Sequence, residues 1–278
     1  MLKKIVKLSA LVAATVATPI VVSAATFSED LHFLGQHTDV VLLSDPSSRS
    51  QVAVAPRWQG RVMTSSANGE KGFSFGWVNR ELIASRKLQP HINVFGGEDR
   101  FWLGPEGGQF SVFFAPSSPF NMEHWVTPAA VDTEPFEVLS KSLESVQCRS
   151  RFQLTNYSGT RFDLEVNREV HLVNAFDMLA KFGVKLPSEV MSVSFESVNR
   201  VKNMGEHSWT KDTGLLSVWI LGMLNASAET VVVIPFESGA ESILGPKVND
   251  NYFGKVPRER LRVKDKILYF RGDANYRS

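Results

Sequence analysis

Residues 146–173 read VQCRSRFQLTNYSGTRFDLEVNREVHLV. Two long runs, QCRSRFQLTN and RFDLEVNREVHLV, flank Tyr157-Ser158-Gly159-Thr160. Phe152 and Leu154 alternate with polar neighbours in the first run, and Phe162, Leu164 and Val166 do so in the second. Successive side chains of a strand point to opposite faces, so this alternation puts one apolar row on one face. The stretch predicts a long antiparallel hairpin, and with it a β framework.

Outward from the hairpin the same signals recur. Upstream, Asp39–Ser44 (DVVLLS) is a compact apolar run and predicts a strand. Asp45–Ser50 (DPSSRS) is turn chemistry. Gln51–Ala55 and Gly60–Ser66 predict two strands around Pro56-Arg57-Trp58, and alternation continues through Gly72–Val78. Phe110–Phe114 predicts a strand ended by Pro116 and Pro119, followed by an irregular aromatic segment, Pro119–Pro128. Downstream, Asn174–Gly183 (NAFDMLAKFG) has helical spacing, with Asn174 to cap it and Gly183 to stop it. Strands are expected again at Met191–Val201, Leu215–Leu224 and Thr230–Phe236, and a last hairpin at Glu259–Arg271 turning at Lys264-Asp265. Thr26–His37 reads as a short helix or an arm, and Asn79–Gln89 as a short helix or a long loop. The fold class is all-β, with one or two short helices. A sandwich of two stacked sheets and a closed barrel are the two architectures that fit.

The first 25 residues stand apart. Lys3, Lys4 and Lys7 precede an apolar run from Leu8 to Val22, and Ser23-Ala24-Ala25 follows. This is the three-part layout of a secretory signal peptide. It predicts a mature domain over 26–278, secreted or periplasmic, with no stable membrane insertion after cleavage. The chain has 278 residues, 43% hydrophobic and 21% charged, with a net charge of +1. That composition suits a large globular core and argues against nucleic acid as a partner. Cys148 is the only cysteine, so no internal disulfide forms.

The stretch that carries the most chemistry is Pro90–Phe114, PHINVFGGEDRFWLGPEGGQFSVFF. Gly96-Gly97 and Gly107-Gly108 bracket Glu98, Asp99, Arg100, Trp102 and Glu106. Glycine pairs allow positive φ or close backbone approach. The segment reads as the wall of a polar pocket of a size to hold a sugar. Arg100 suits a bidentate clamp on a carboxylate or on vicinal hydroxyls, with a structural ion pair as the alternative. Trp102 suits stacking on a pyranose ring, with a core tryptophan as the alternative. Trp219, inside an apolar run, reads as core. Substituting Arg100 and Trp102 with Ala is expected to abolish sugar binding and leave the fold intact. Asn93, Glu98, Asp99 and Glu106 complete the candidate ligand-binding set. Glu98 and Glu106, with His91, His124 and His207, are the candidate proton-transfer groups, since a histidine near neutral pKa suits acid–base work on a sugar. No histidine pair has metal-ligand spacing, and no P-loop or GxGxxG fingerprint occurs, so no metal or cofactor is expected.

A resemblance rests on NVFGGEDRFWLGPEGG (Asn93–Gly108), on the long central hairpin, and on VNRVKNMGEHSW (Val198–Trp209) followed by SVWILGML (Ser217–Leu224). In this order the features resemble the galactose mutarotase-like (aldose 1-epimerase) superfamily. With YFGKVPRERL (Tyr252–Leu261) and FRGDANYRS (Phe270–Ser278), the chain resembles more closely an uncharacterised group of secreted bacterial proteins of that fold. The resemblance implies a two-sheet antiparallel supersandwich with a sugar-sized cleft on a concave sheet. It implies either anomer interconversion by a histidine acid and a glutamate base, or carbohydrate binding alone. The epimerase base comes from a late strand, and this chain ends at Ser278 just after a strand-like run, so its C-terminus is expected to be short. Two other readings remain: a non-catalytic module of the cell envelope, in which the polar stretch is a satisfied internal network, and a polysaccharide hydrolase or lyase.

Overall fold

A threonine opens the folded chain. In the computed structural model, which describes residues 25–46, 49–181, 183–251 and 254–275, Thr26 caps the first helix. The backbone N–H of Thr26 donates to Glu29 Oε2 at 2.7 Å, and its hydroxyl accepts from Glu29 N–H. This reciprocal box satisfies two donors that a helix start leaves open. Helix α1 (Phe27–Gly35) is therefore formed, and it buries Phe27, Asp30 and Leu34. The predicted signal segment, up to residue 24, lies outside the described residues.

The strands follow in chain order. β1 (Val41–Asp45), β2 (Ser50–Ala55) and β3 (Arg61–Ser66) form an antiparallel sheet in that order. Helix α2 (Arg80–Ser85) starts at Asn79, whose side chain accepts from Leu82 N–H. β4 (Arg100–Gly104) comes next. β5 (Glu137–Lys141), β6 (Ser145–Thr155) and β7 (Arg161–Leu172) lead into helix α3 (Ala175–Ala180), and β8 (Phe195–Asn203) follows it. These four strands pair in sequence order. β9 (Ser217–Leu221) pairs with β4. β10 (Val231–Pro235), helix α4 (Glu241–Leu244), β11 (Leu261–Lys264) and β12 (Ile267–Arg271) end the described chain, with β12 between β10 and β11.

The fold is all-β, antiparallel, with a few short helices, and among the described residues no sheet closes into a barrel. The hairpin at 146–173 is present: β6 and β7 pair without a break from Ser145↔His171 to Thr155↔Arg161. Leu154, Phe162, Leu164, Val166 and Val170 are buried, as the alternation requires. They meet Leu43, Val52, Val54 and Val62 of the β1–β3 sheet in one core, which also holds Phe101, Trp102 and Leu103. Sheet packs on sheet here, as in a sandwich. A second, smaller core lies between α1, α2 and the first sheet, where Leu34, Ile83, Phe95, Trp58, Ala55 and Met63 meet.

Three expectations need correction. Phe110–Phe114 is not a strand. Its donors are satisfied locally, with Val112 N–H to Pro105 O and Phe113 N–H to Ser111 Oγ, and Val112, Phe113 and Phe114 are buried as an irregular segment. Gly72–Val78 makes only isolated bridges, at Phe73, Gly76 and Val78. Trp219 is not core: it is 41% exposed, and β9 and β10 present Val218, Ile220 and Val231–Ile234 to solvent as well.

Candidate functional site

Asp99 is the hinge of the stretch 93–106. Its backbone accepts from Val62 N–H at 3.1 Å, which bridges β3 to the chain entering β4. Its side chain forms an ion pair with the buried Arg168 of β7 and accepts from Ser197 Oγ of β8 at 2.8 Å. Arg168 also donates through Nε to Gly60 O at 2.9 Å and reaches Asn199 on β8. Asp99 thus ties β3, β4, β7 and β8 together.

Arg100 is engaged through its Nη2, while its Nε is enclosed without a partner. Its guanidinium donates to Asp132 Oδ1 at 2.8 Å and lies 4.3 Å from the centre of the Trp102 ring. Asn93 completes the group: its N–H reaches both Asp132 oxygens at 3.1 Å, and its Nδ2 donates to Oδ2 at 2.8 Å. Arg100 is 2% exposed and Trp102 1%. Trp102 Nε1 donates to Glu106 Oε1 at 2.7 Å. Burial pulls the Arg100 guanidinium below its ordinary pKa, and Asp132 opposes that shift. Arg61 is fully buried nearby. It donates to Gly96 O and Gln59 Oε1, and burial, with Arg100 adding to it, pulls its pKa well down.

Glu98 differs from its neighbours. One oxygen accepts from Ser65 Oγ at 2.9 Å, while Oε1 is enclosed with no partner. Burial pushes its pKa up to about 7, against the Ser65 hydrogen bond. The glycine pair before it is explained by close approach. A Cβ on Gly97 would sit 2.8 Å from Val62 O, and one on Gly96 would sit 2.0 Å from Trp77 O. Both have positive φ. Gly107 and Gly108 meet nothing and simply make an open turn.

The histidines are dispersed. His91 Nδ1 is 2.7 Å from Trp125 O, and His124 Nδ1 is 2.6 Å from Asn121 Oδ1. His207 is exposed, and only its carbonyl is used, by Asn203 Nδ2. Among the described residues, no hydrogen bond joins His91, His124 or His207 to Glu98 or Glu106. The structure brings Asn93 and Arg100 together around Asp132, and stacks Arg100 on Trp102. Sequence reading did not single out Asp132 or Arg168, because both partners lie more than 30 residues away in sequence.

A cavity lies elsewhere, on the helix side of the first sheet. It has a volume of about 560 Å³. Its aromatic floor is Trp58 and Phe95, stacked with centroids 4.6 Å apart. Leu82, Ile83 and Leu88 supply the rest of the apolar lining. Gly35, His37, Thr38 and Asp39 bring the turn after α1, and Arg57, Arg86 and Lys87 bring cations. Two side-chain atoms there, His37 Nδ1 and Thr38 Oγ1, are enclosed and have no hydrogen-bond partner. Phe95 is the one residue of the 91–108 stretch in this lining. A volume of this order suits a small ligand. The signal in sequence was faint: an adjacent Arg86-Lys87 pair where α2 stops, with Arg86 in the left-handed conformation.

Neither a curated protein nor a solved structure matches the chain. A family model matches over residues 25–278, and the chain belongs to that family, a family of unknown function (DUF6786).

Proposed function

We propose that the protein binds carbohydrate in the cavity beside Trp58 and Phe95, and holds it without turning it over. One observation carries this reading: a cavity of about 560 Å³, a sugar-sized volume, is walled by Trp58, Phe95, Leu82, Ile83 and Leu88 on its apolar side and by His37, Thr38 and Asp39 on its polar side. Asp39, also on the wall, is a ready acceptor for sugar hydroxyls. Trp58 and Phe95, though mostly buried, join Leu82, Ile83 and Leu88 in an apolar lining of the kind a pyranose face meets. The three-part layout of residues 1–25 supports a secreted or periplasmic location, where free sugars and glycans are met.

Binding without catalysis is favoured over epimerisation because the candidate acids and bases do not meet. His91 and His124 are engaged by Trp125 and Asn121, and Glu98 by Ser65. A second reading, an envelope interaction module, draws support from the internal pairing of Asn93, Asp99 and Arg100. Proton NMR on the purified protein with a panel of reducing sugars separates these. Saturation transfer with anomer exchange at its uncatalysed rate is the expected result. Faster exchange would establish an epimerase, and no transfer from a folded protein would move the weight to the interaction module.

A further inference from the structure

The rim of the same cavity carries an unbalanced charge. Arg57, Arg86 and Lys87 line it, against a single carboxylate, Asp39. All three cations are exposed. Among the described residues none of them forms an ion pair, and none donates a side-chain hydrogen bond. Elsewhere on the chain several arginines are matched to acids, Arg80 to Asp30, Arg149 to Glu137, Arg151 to Glu165 and Arg260 to Asp273, though not all are. Three cations against one carboxylate around one cavity give this rim a local positive charge that the chain's net charge of +1 does not show.

Resting on the carbohydrate reading above, we propose that the ligand is an anionic sugar, a pyranose whose carboxylate or sulfate ester faces Arg57, Arg86 and Lys87. The two anions share the chemistry that matters: clustered oxygens that accept from a guanidinium fork and a lysine ammonium. The ring lies against the Trp58 and Phe95 side. Asp39 accepts from a ring hydroxyl, with His37 and Thr38 beside it on the wall. Asp39 disfavours an anion beside it, so the acidic group is turned to the cations and a hydroxyl to Asp39.

Titration calorimetry on the purified protein tests this with matched pairs at low ionic strength: D-glucuronate against D-glucose, D-galacturonate against D-galactose, and galactose 6-sulfate. The acidic member of a pair is expected to bind at least about tenfold tighter than the neutral one, the scale of one charge-assisted hydrogen bond. Preference for the uronates identifies a carboxylate ligand, and preference for the 6-sulfate a sulfate ester. The preference is expected to shrink as salt is raised. In the double variant Arg57→Gln/Arg86→Asn it is expected to fall to about twofold or less, with neutral-sugar affinity unchanged, because the matching anion has lost its partners. Equal binding of neutral and acidic sugars by the wild type would overturn the charge assignment and leave the carbohydrate reading standing. So would a preference that survives the double variant or is insensitive to salt. Absence of saturable binding to any of these sugars would overturn both. The salt series on the wild type decides the matter even if the variant folds poorly.

Discussion

Glu98 is a carboxylate whose environment is far from ordinary. Its free pKa is 4.5 and burial raises it to about 7 in the folded chain. The folded state therefore holds the proton more tightly than the unfolded state. Below pH 4.5 both states are protonated and the contribution to stability is fully present. As pH rises toward 7 the unfolded state ionises first, so stability falls, and above 7 the loss is complete. The shift corresponds to about 3 kcal/mol. Denaturant unfolding of the wild type between pH 4 and pH 8 is expected to show this decline, and Glu98→Gln to flatten it. An unchanged slope in the variant would place the titration elsewhere. At this scale the sequence was half legible. It marked Glu98, Asp99, Arg100 and Trp102 as a polar and aromatic group between glycines. It did not show that Asp99 and Arg100 would be met by Arg168 and Asp132, because pairing over long sequence separations leaves no local pattern.

At the scale of elements, the hairpin β6–β7 and strand β4 make the contrast. The hairpin has one face in the core and one in water, so its pattern alternates and reads directly. β4, RFWLG, is buried at every position. With both faces covered there is no alternation to read, and a charged residue at Arg100 hides the strand further. The run at 110–114 failed for the opposite reason: SVFF is apolar because it is buried, not because it pairs. The expectation that Arg100→Ala would leave the fold intact changes with this geometry. Removing the guanidinium leaves Asp132 buried, with Asn93 as its remaining donor. Loss of one partner of a buried pair costs about 3–5 kcal/mol. Arg149→Ala, which breaks the exposed pair with Glu137, is expected to cost less than about 1 kcal/mol. Thermal unfolding of both variants checks the difference, and equal losses would remove the structural role given to Arg100.

At the scale of the molecule, the sandwich was legible because it depends on many strands of one period, each weakly informative and all in agreement. The cavity was not. Its wall is assembled from residues 35–39, 57–58, 82–88 and 95, four segments brought together by α1, α2 and the turn between β2 and β3. Trp219 shows another limit. An apolar run predicts burial, yet burial needs a second layer, and among the described residues β9 and β10 remain open on their apolar positions. The central claim is that sugar is held at the helix-side cavity and not at the Glu98–Trp102 group. The affinity of a Thr38→Val/Asp39→Asn double variant for the sugar that binds the wild type tests it most directly. The variant keeps the size of both side chains and removes a hydroxyl and a carboxylate charge from the wall, so a loss of about tenfold or more is predicted, with stability unchanged or raised because the Thr38 hydroxyl has no partner to lose. Wild-type affinity in a folded double variant would contradict the account and return the search to the 91–108 stretch.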